Sequence, residues 1–195
     1  MRAIEGKSTV SGGIPQHWTR GFAVLAAFLT LALSPSSRAA DVTPADLQAA
    51  MRSLGFLTSL QNRPSVTIGV IYHAGDADSK MQAARVAASL ARLSGPGSAT
   101  VSATLLSVQD LPQSTLHLDA LYLLSLPAEN GRTVSDFVKR QNVVSISADP
   151  ACLDMGSCVL MVQARSSMTI VLDTALAQAA GAKFSTVFTM LVKRR

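Results

Sequence analysis

The stretch Val66-Thr67-Ile68-Gly69-Val70-Ile71-Tyr72 combines β-branched residues with a closing tyrosine and contains no charged residue. Arg63-Pro64 precedes it and Gly75-Asp76 follows it, so a chain breaker stands on each side. A short uncharged run bounded in this way is typical of a strand that is buried on both faces. The stretch therefore predicts an inner strand of a sheet.

Three further strands are predicted after this one, and helical patterns alternate with them along the chain. The predicted strands cover residues 100–106, 120–125 and 143–147. The predicted helices cover residues 44 to about 60, 76–93 and 131–141, the second with an apolar stripe of Met81, Ala84, Ala88 and Leu93. Alternating strands and helices imply a parallel sheet that is covered by helices on both faces.

The pattern changes after residue 149. Residues 158–164 and 167–172 form two predicted strands, and the Arg165-Ser166 link between them is too short for anything but an antiparallel hairpin. An Ala-rich helix follows and ends at Gly181. The fold class is therefore α/β: a mostly parallel sheet covered by helices on both faces, with a C-terminal antiparallel hairpin and a closing helix.

Residues 183–192 contain apolar residues that suit either a strand or a helix, so this segment is not assigned. It includes three large apolar side chains, Phe184, Phe188 and Met190. We expect these three side chains to belong to the core rather than to an interface.

The N-terminal region has the pattern of a secretory signal. Residues 21–33 form an uncharged apolar run that follows Arg20. This run is shorter than the roughly 20 residues of a membrane-spanning helix. Ser37 and Ala39 place small residues at the two positions that signal peptidase reads. We therefore expect residues 1–39 to be a signal peptide that is cleaved near Ala39, and residues 40–195 to form a single exported domain.

Charge gives little reason to expect a nucleic-acid partner. The full chain carries a formal net charge of +5, and removal of residues 1–39 takes away four basic residues and one acidic residue, which leaves +2. Nucleic-acid binding normally requires a concentrated basic patch. We therefore expect no nucleic acid among the partners.

The two cysteines, Cys152 and Cys158, lie close together in the predicted exported part. Export to an oxidising compartment favours a disulfide between them. The bridge could be a structural staple, a redox-sensitive regulatory bond or a catalytic pair, although the spacing is not Cys-x-x-Cys. Leu153 and Met155 lie inside this small ring, where they would either contact a partner or pack over the edge of the sheet.

The chain lacks a recognisable catalytic motif, so we expect a protein that is not an enzyme and needs neither a metal nor a cofactor. After residue 39 it contains two histidines, His73 and His117, and one glutamate, Glu129. His73 follows the first inner strand, with Asp76 nearby, and parallel sheets bind ligands at this edge. The two residues are candidates for contact with a small ligand, and a solvated loop is the alternative.

A resemblance to a known family is carried by the C-terminal part of the chain. Its elements are Ser145-Ile146-Ser147-Ala148-Asp149-Pro150, the short cysteine-containing loop, Gly156 and a hairpin that ends in Val171-Leu172-Asp173. An Ala-rich helix with Ala180-Gly181 and then Lys183-Phe184-Ser185-Thr186 complete the order. In this order of elements the chain resembles the YfiR-type periplasmic proteins, over about residues 43–193.

The resemblance implies a periplasmic regulator without catalytic activity. It would bind the periplasmic part of an inner-membrane diguanylate cyclase with a GGDEF domain and repress it, which lowers cyclic di-GMP and biofilm formation. Release would involve an outer-membrane lipoprotein, envelope stress or a redox change, and a homodimer is a further assembly to consider. Members of the family carry a disulfide in the corresponding loop, and its two cysteines correspond to Cys152 and Cys158. The alternative function is a periplasmic small-molecule-binding sensor or half-sized solute-binding protein.

Overall fold

The computed structural model describes residues 41–195. The predicted signal peptide, residues 1–39, and its cleavage near Ala39 lie outside the described residues and stay predictions. The described residues belong to one compact unit. Within residues 41–195, none of the helices has both the length and the apolar character that a membrane crossing requires.

Seven strands and six helices make up the described part of the chain. The strands are β1 (Ser65–Tyr72), β2 (Thr100–Ser107), β3 (Ala120–Leu123), β4 (Val144–Ser147), β5 (Leu160–Ala164), β6 (Met168–Leu172) and β7 (Lys193–Arg194). The helices are α1 (Pro44–Leu54), α2 (Ala77–Leu90), α3 (Gly131–Gln141), α4 (Ala151–Asp154), α5 (Thr174–Ala179) and α6 (Thr186–Leu191). Short 3-10 turns occupy several of the connections.

All seven strands form one sheet in the order β2-β1-β3-β4-β5-β6-β7. The ladders from β2 to β5 are parallel, β6 is antiparallel to β5, and β7 is parallel to β6. Every residue of β3 and β4 is buried, although successive residues point to opposite faces, so both faces of the centre are covered. The predicted α/β class, with its mostly parallel sheet and its C-terminal hairpin, is confirmed.

Two details of the helical predictions are wrong. α1 ends at Leu54 rather than near residue 60, because the chain turns at Gly55 and continues as a 3-10 turn at Thr58–Leu60. α2 buries Ala83, Val86 and Leu90, while Met81 is 52% exposed. Alanines cover little area, so an Ala-rich sequence fixes the rotation of a helix weakly, and packing against β1 and β2 decides which side faces the core.

A single buried carboxylate joins the start of α1 to the hairpin. The Oδ2 atom of Asp46 accepts hydrogen bonds from the N–H (2.9 Å) and the hydroxyl (2.8 Å) of Thr43. Its Oδ1 atom accepts one from the N–H of Ala164 (2.7 Å), and the Arg165 guanidinium lies 3.9 Å away. Burial alone would raise the pKa of Asp46, but these hydrogen bonds and the Arg165 charge outweigh it and hold the pKa below its ordinary 3.8.

We expect Asp46→Asn to lower the free energy of unfolding by about 1–3 kcal/mol at neutral pH, because its NH2 group would face a backbone N–H and leave it unsatisfied. A carboxyl whose pKa folding lowers contributes stability above its unfolded value of 3.8, and that stability is lost as the pH falls through the folded value. The free energy of unfolding of the variant, measured with urea, should therefore fall less between neutral and acidic pH than that of the wild type. Exposed Asp41→Asn is the control, and equal stability of the Asp46 variant and the wild type would contradict the assignment.

Candidate functional site

The predicted disulfide joins Cys152 in α4 to Cys158, which lies just before β5. Both cysteines are buried. A thiolate must reach a disulfide sulfur to exchange with it, and burial prevents this unless the loop opens. This arrangement favours the structural staple, and a regulatory role would require local opening of the loop first.

The side chains inside the disulfide ring do not form an exposed pair. Leu153 is buried, and Met155 is half-buried and packs against the core. The start of α3 closes over them: a Cβ atom on Gly131 would lie 2.8 Å from the carbonyl oxygen of Met155. Of the two alternatives for this ring, packing describes Leu153 better than contact with a partner, because the short helix α4 turns its side chain toward the core.

His73 belongs to a hydrogen-bonded cluster at the carboxyl ends of the parallel strands. Its Nδ1 atom lies 2.9 Å from Nε2 of Gln109 and 3.4 Å from Nδ2 of Asn130. The Gln109 amide is oriented by the N–H of Ala74, which donates to Oε1 at 3.2 Å. The Nε2 of Gln109 must then donate to His73, so Nδ1 is an acceptor and the imidazole proton sits on its own Nε2.

Asp76 has a different function in the structure. It is exposed at the start of α2, where its carboxylate accepts the N–H of Asp78 at 2.9 Å and so caps the helix. The structure therefore places His73 and Asp76 on the same loop without joining their side chains in one site. No group of three or more His, Cys, Asp or Glu side chains capable of holding a metal ion is found among the described residues.

An open groove lies between α1 and the C-terminal segments of the chain, and we call it the α1/β6 groove. Its volume is about 450 Å³. The residues lining it come from α1 and the turn after it, from β6, and from α6 and β7: Ala49, Arg52, Ser53, Phe56, Met168, Thr169, Ile170, Phe188, Leu191, Val192 and Lys193.

The α1/β6 groove is apolar inside and basic at its rim. Met168 is 58% exposed and Leu191 is 77% exposed, so two large apolar side chains that line the same groove face solvent. The charged side chains among the described lining residues, Arg52 and Lys193, are both basic. Such a surface suits a partner segment with an apolar centre and acidic flanks.

Two of the residues that line the groove, Phe56 and Phe188, belong to a stack of aromatic rings. The ring of Phe188 lies 4.9 Å from that of Phe56 and 5.2 Å from that of Phe184, measured between centroids. Phe188 is buried and Phe184 is half-buried, as expected, but Met190 is 73% exposed, so its predicted place in the core is wrong. Side chains two positions apart on a helix point about 200° apart, so α6 cannot bury both Phe188 and Met190.

The C-terminal side of the groove is held by polar contacts. The guanidinium of Arg195 lies 3.6 Å from Asp173 and 3.3 Å from Asp154. The N–H and the hydroxyl of Thr174 both donate to the carbonyl oxygen of Arg195. These contacts keep β7 paired with β6, and they fix the third wall of the groove.

No protein-family model and no curated protein matches the chain. Among solved structures, it is similar to the ABC domain in complex with L-Trp from Streptococcus pneumoniae, at 16% identity and a TM-score of 0.52, over 77% of this chain and 61% of that one. It is also similar to a conserved domain protein from Vibrio cholerae, at 11% identity and a TM-score of 0.50, over 77% and 60%. A substrate binding protein with adhesive properties from Clostridium difficile gives 16% identity and a TM-score of 0.48, over 74% and 58%.

The chain spans about 60% of the length of these neighbours. Identities of 11–16% establish a shared α/β fold and nothing more specific. The fold of this chain is therefore one that also occurs in longer proteins, and its function must be argued from its own surfaces.

We expect Phe188→Ala to lower the free energy of unfolding by about 3 kcal/mol, because it removes the central ring of the stack and leaves a cavity. Met190→Ala, on the same helix, is the matched control and should change stability by less than about 0.5 kcal/mol. Urea unfolding of both variants measures the difference. Equal effects of the two changes would show that α6 is rotated differently on the sheet.

Proposed function

We propose that the protein is a periplasmic regulator that binds and represses an inner-membrane diguanylate cyclase, and that the α1/β6 groove is the surface it uses. The resemblance to YfiR-type proteins over about residues 43–193 supports the kind of partner. The observation that carries the proposal is the groove itself, in which Met168 and Leu191 are exposed beside the stacked rings of Phe56 and Phe188.

The groove is suited to binding because its walls are already fixed. Asp46 ties α1 to the hairpin, and Arg195 ties β7 to the start of α5. A partner that inserts an apolar side chain would displace water from Met168 and Leu191 without having to order a loop. Arg52 and Lys193 would pair with acidic groups at the edge of the partner and set its orientation.

Repression would follow from preferential binding to one conformation of the cyclase. A periplasmic protein cannot reach a GGDEF domain on the cytoplasmic side of the membrane, so it must act through the periplasmic part of its partner. Binding shifts a conformational equilibrium only by the difference in affinity for the two states. An outer-membrane lipoprotein that captured the regulator would lower its free concentration and release the cyclase.

Deletion of the gene should raise cellular cyclic di-GMP and biofilm formation. Reintroducing the wild-type gene should return both to the level of the undeleted strain. Met168→Asp should fail to restore them, because a carboxylate placed in an apolar interface loses its hydration, and the affinity should fall by about 30-fold or more. Met81→Asp is the matched control, since Met81 is 52% exposed and Met168 is 58% exposed, but Met81 lies outside the groove. Quantification of the nucleotide in the four strains makes the test.

Two results would count against this proposal in different ways. Unchanged cyclic di-GMP in the deletion strain would argue against regulation of a cyclase altogether. Full restoration by Met168→Asp, with the variant present at the wild-type level, would leave the regulatory function standing but remove the groove as its surface.

A sensor or half-sized solute-binding protein is the second candidate function, and the His73 cluster favours it. The Gln109 amide, oriented by Ala74, donates to Nδ1 of His73, at the strand ends where parallel sheets bind ligands. One protein with a similar fold, the ABC domain from Streptococcus pneumoniae, was solved in complex with L-Trp. The corresponding ligand here would be an amino acid or another small polar molecule.

Thermal unfolding with a panel of amino acids, short peptides and nucleotides tests this second candidate. A true ligand should raise the midpoint by several degrees, and His73→Ala should abolish the rise. His117→Ala is the control, because His117 is exposed and lies in a different loop. A panel without any shift, or a shift that survives His73→Ala, would exclude a ligand at this cluster.

A further inference from the structure

The two edges of the sheet are protected very differently. β7 at one edge has two residues, Lys193 and Arg194, and both are charged. β2 at the other edge has eight residues, Thr100–Ser107, with no charge, no proline and no glycine. Soluble proteins normally protect a long edge strand with charge, proline or a covering element, because its free backbone groups can pair with another strand.

The hydrogen bonds at both ends of β2 show which of its backbone groups face outward. Thr100 N–H donates to the carbonyl of Pro64 at 3.0 Å, and Val108 N–H donates to that of Tyr72 at 2.8 Å, so even-numbered residues face the β1 side. On the outer side, the carbonyl of Ala99 accepts from Gly95 N–H at 2.8 Å. Alternation along a parallel ladder therefore turns the backbone groups of residues 101, 103 and 105 away from β1.

The middle of this edge is open. Gly95 packs against Val101 at the start of the strand, with 3.1 Å between the position of a Gly95 Cβ and Val101 Cγ2. Beyond it, Ser102 and Thr104 are exposed, and Leu105 is 39% exposed. The N–H and C=O groups of residues 103 and 105 point outward, and within the described residues they make no backbone hydrogen bond.

The segment after β2 leaves one face of this strand uncovered. The connection to β3 contains a 3-10 turn at Leu111–Gln113 where the other crossovers to parallel strands contain α-helices. The chain thus crosses from β2 to β3 without placing an α-helix over the face of β2 that carries Ser102 and Thr104, and both side chains are exposed.

We propose that β2 pairs with β2 of a second copy of this chain, antiparallel and about a two-fold axis at Thr104. Ala103 of each copy would then exchange both of its backbone hydrogen bonds with Leu105 of the other. The two Thr104 residues would face each other as a non-hydrogen-bonded pair, where two threonines are favourable neighbours. The two sheets would join into one of fourteen strands, twice the seven of a single copy.

A second copy suits this edge better than an unrelated strand because the strand is complementary to itself. Its eight residues carry no charge, so opposing two copies creates no repulsion. A two-fold arrangement uses both edges at once and therefore closes as a dimer instead of growing into a fibre. β2 and β6 lie near opposite ends of the strand order, so the dimer leaves the α1/β6 groove of each copy available.

Oxidative cross-linking of cysteine variants tests the pairing and its register. Residues in a non-hydrogen-bonded pair have Cα atoms about 4.5 Å apart, within the range of a disulfide, so Thr104→Cys should give a covalent dimer in good yield. Ser102→Cys lies on the same exposed edge and is the matched control, because its counterpart would be about 13 Å away along the strand. Peptide mapping should show a bond between the two engineered cysteines, with Cys152–Cys158 intact.

Sedimentation of the protein without added cysteines gives the second readout. The wild type should show a reversible monomer–dimer equilibrium, and Thr104→Lys should raise the dissociation constant about tenfold or more, because two ammonium groups would meet at the axis. Thr115→Lys adds the same charge in an exposed loop and should leave the dissociation constant of the dimer unchanged. A wild type that stays monomeric, open-ended aggregates, or equal cross-linking at positions 102 and 104 would overturn the proposal.

Discussion

The carboxylate of Asp46 joins two parts of the chain that lie 118 residues apart in sequence, and the surface proposed for binding depends on it. One oxygen caps α1 through Thr43, and the other accepts the N–H of Ala164 in the hairpin. The contact holds α1 against the end of β5, where Ala164 pairs with Met168 of β6, so it positions two of the three walls of the groove. A buried carboxylate would be costly if it were unpaired, but here each oxygen accepts a hydrogen bond and a guanidinium lies nearby.

The reversal of the chain at the hairpin separates the molecule into regions with different uses. The strands from β2 to β5 are parallel and form the buried centre, whereas β6 runs antiparallel and brings α6 and β7 back alongside α1. The exposed apolar side chains of the groove lie on this returning segment. At the opposite edge, β2 offers backbone groups instead of apolar side chains, so the two ends of one sheet favour two kinds of contact.

The sequence predicts the centre of this fold well because buried strands carry their own signal. The uncharged runs around residues 66–72, 120–125 and 143–147 are strands in the structure, and α3 has the predicted bounds of residues 131–141. The rotation of α2 and the exposure of Met190 could not be predicted, because each depends on packing against elements distant in sequence. The groove was missed for the same reason, although assigning a helix to residues 186–191 would have placed Phe188 and Met190 on different sides and revealed an exposed patch.

Photo-cross-linking from position 191 in living cells tests the central claim most directly. Leu191 lines the groove and is 77% exposed, so a photoreactive residue there should capture the protein that occupies it. The account predicts a cross-link to the periplasmic part of a membrane protein that carries a GGDEF domain, and none from the same residue at exposed position 81. Capture of only other proteins at position 191, or equal capture at the two positions, would contradict it.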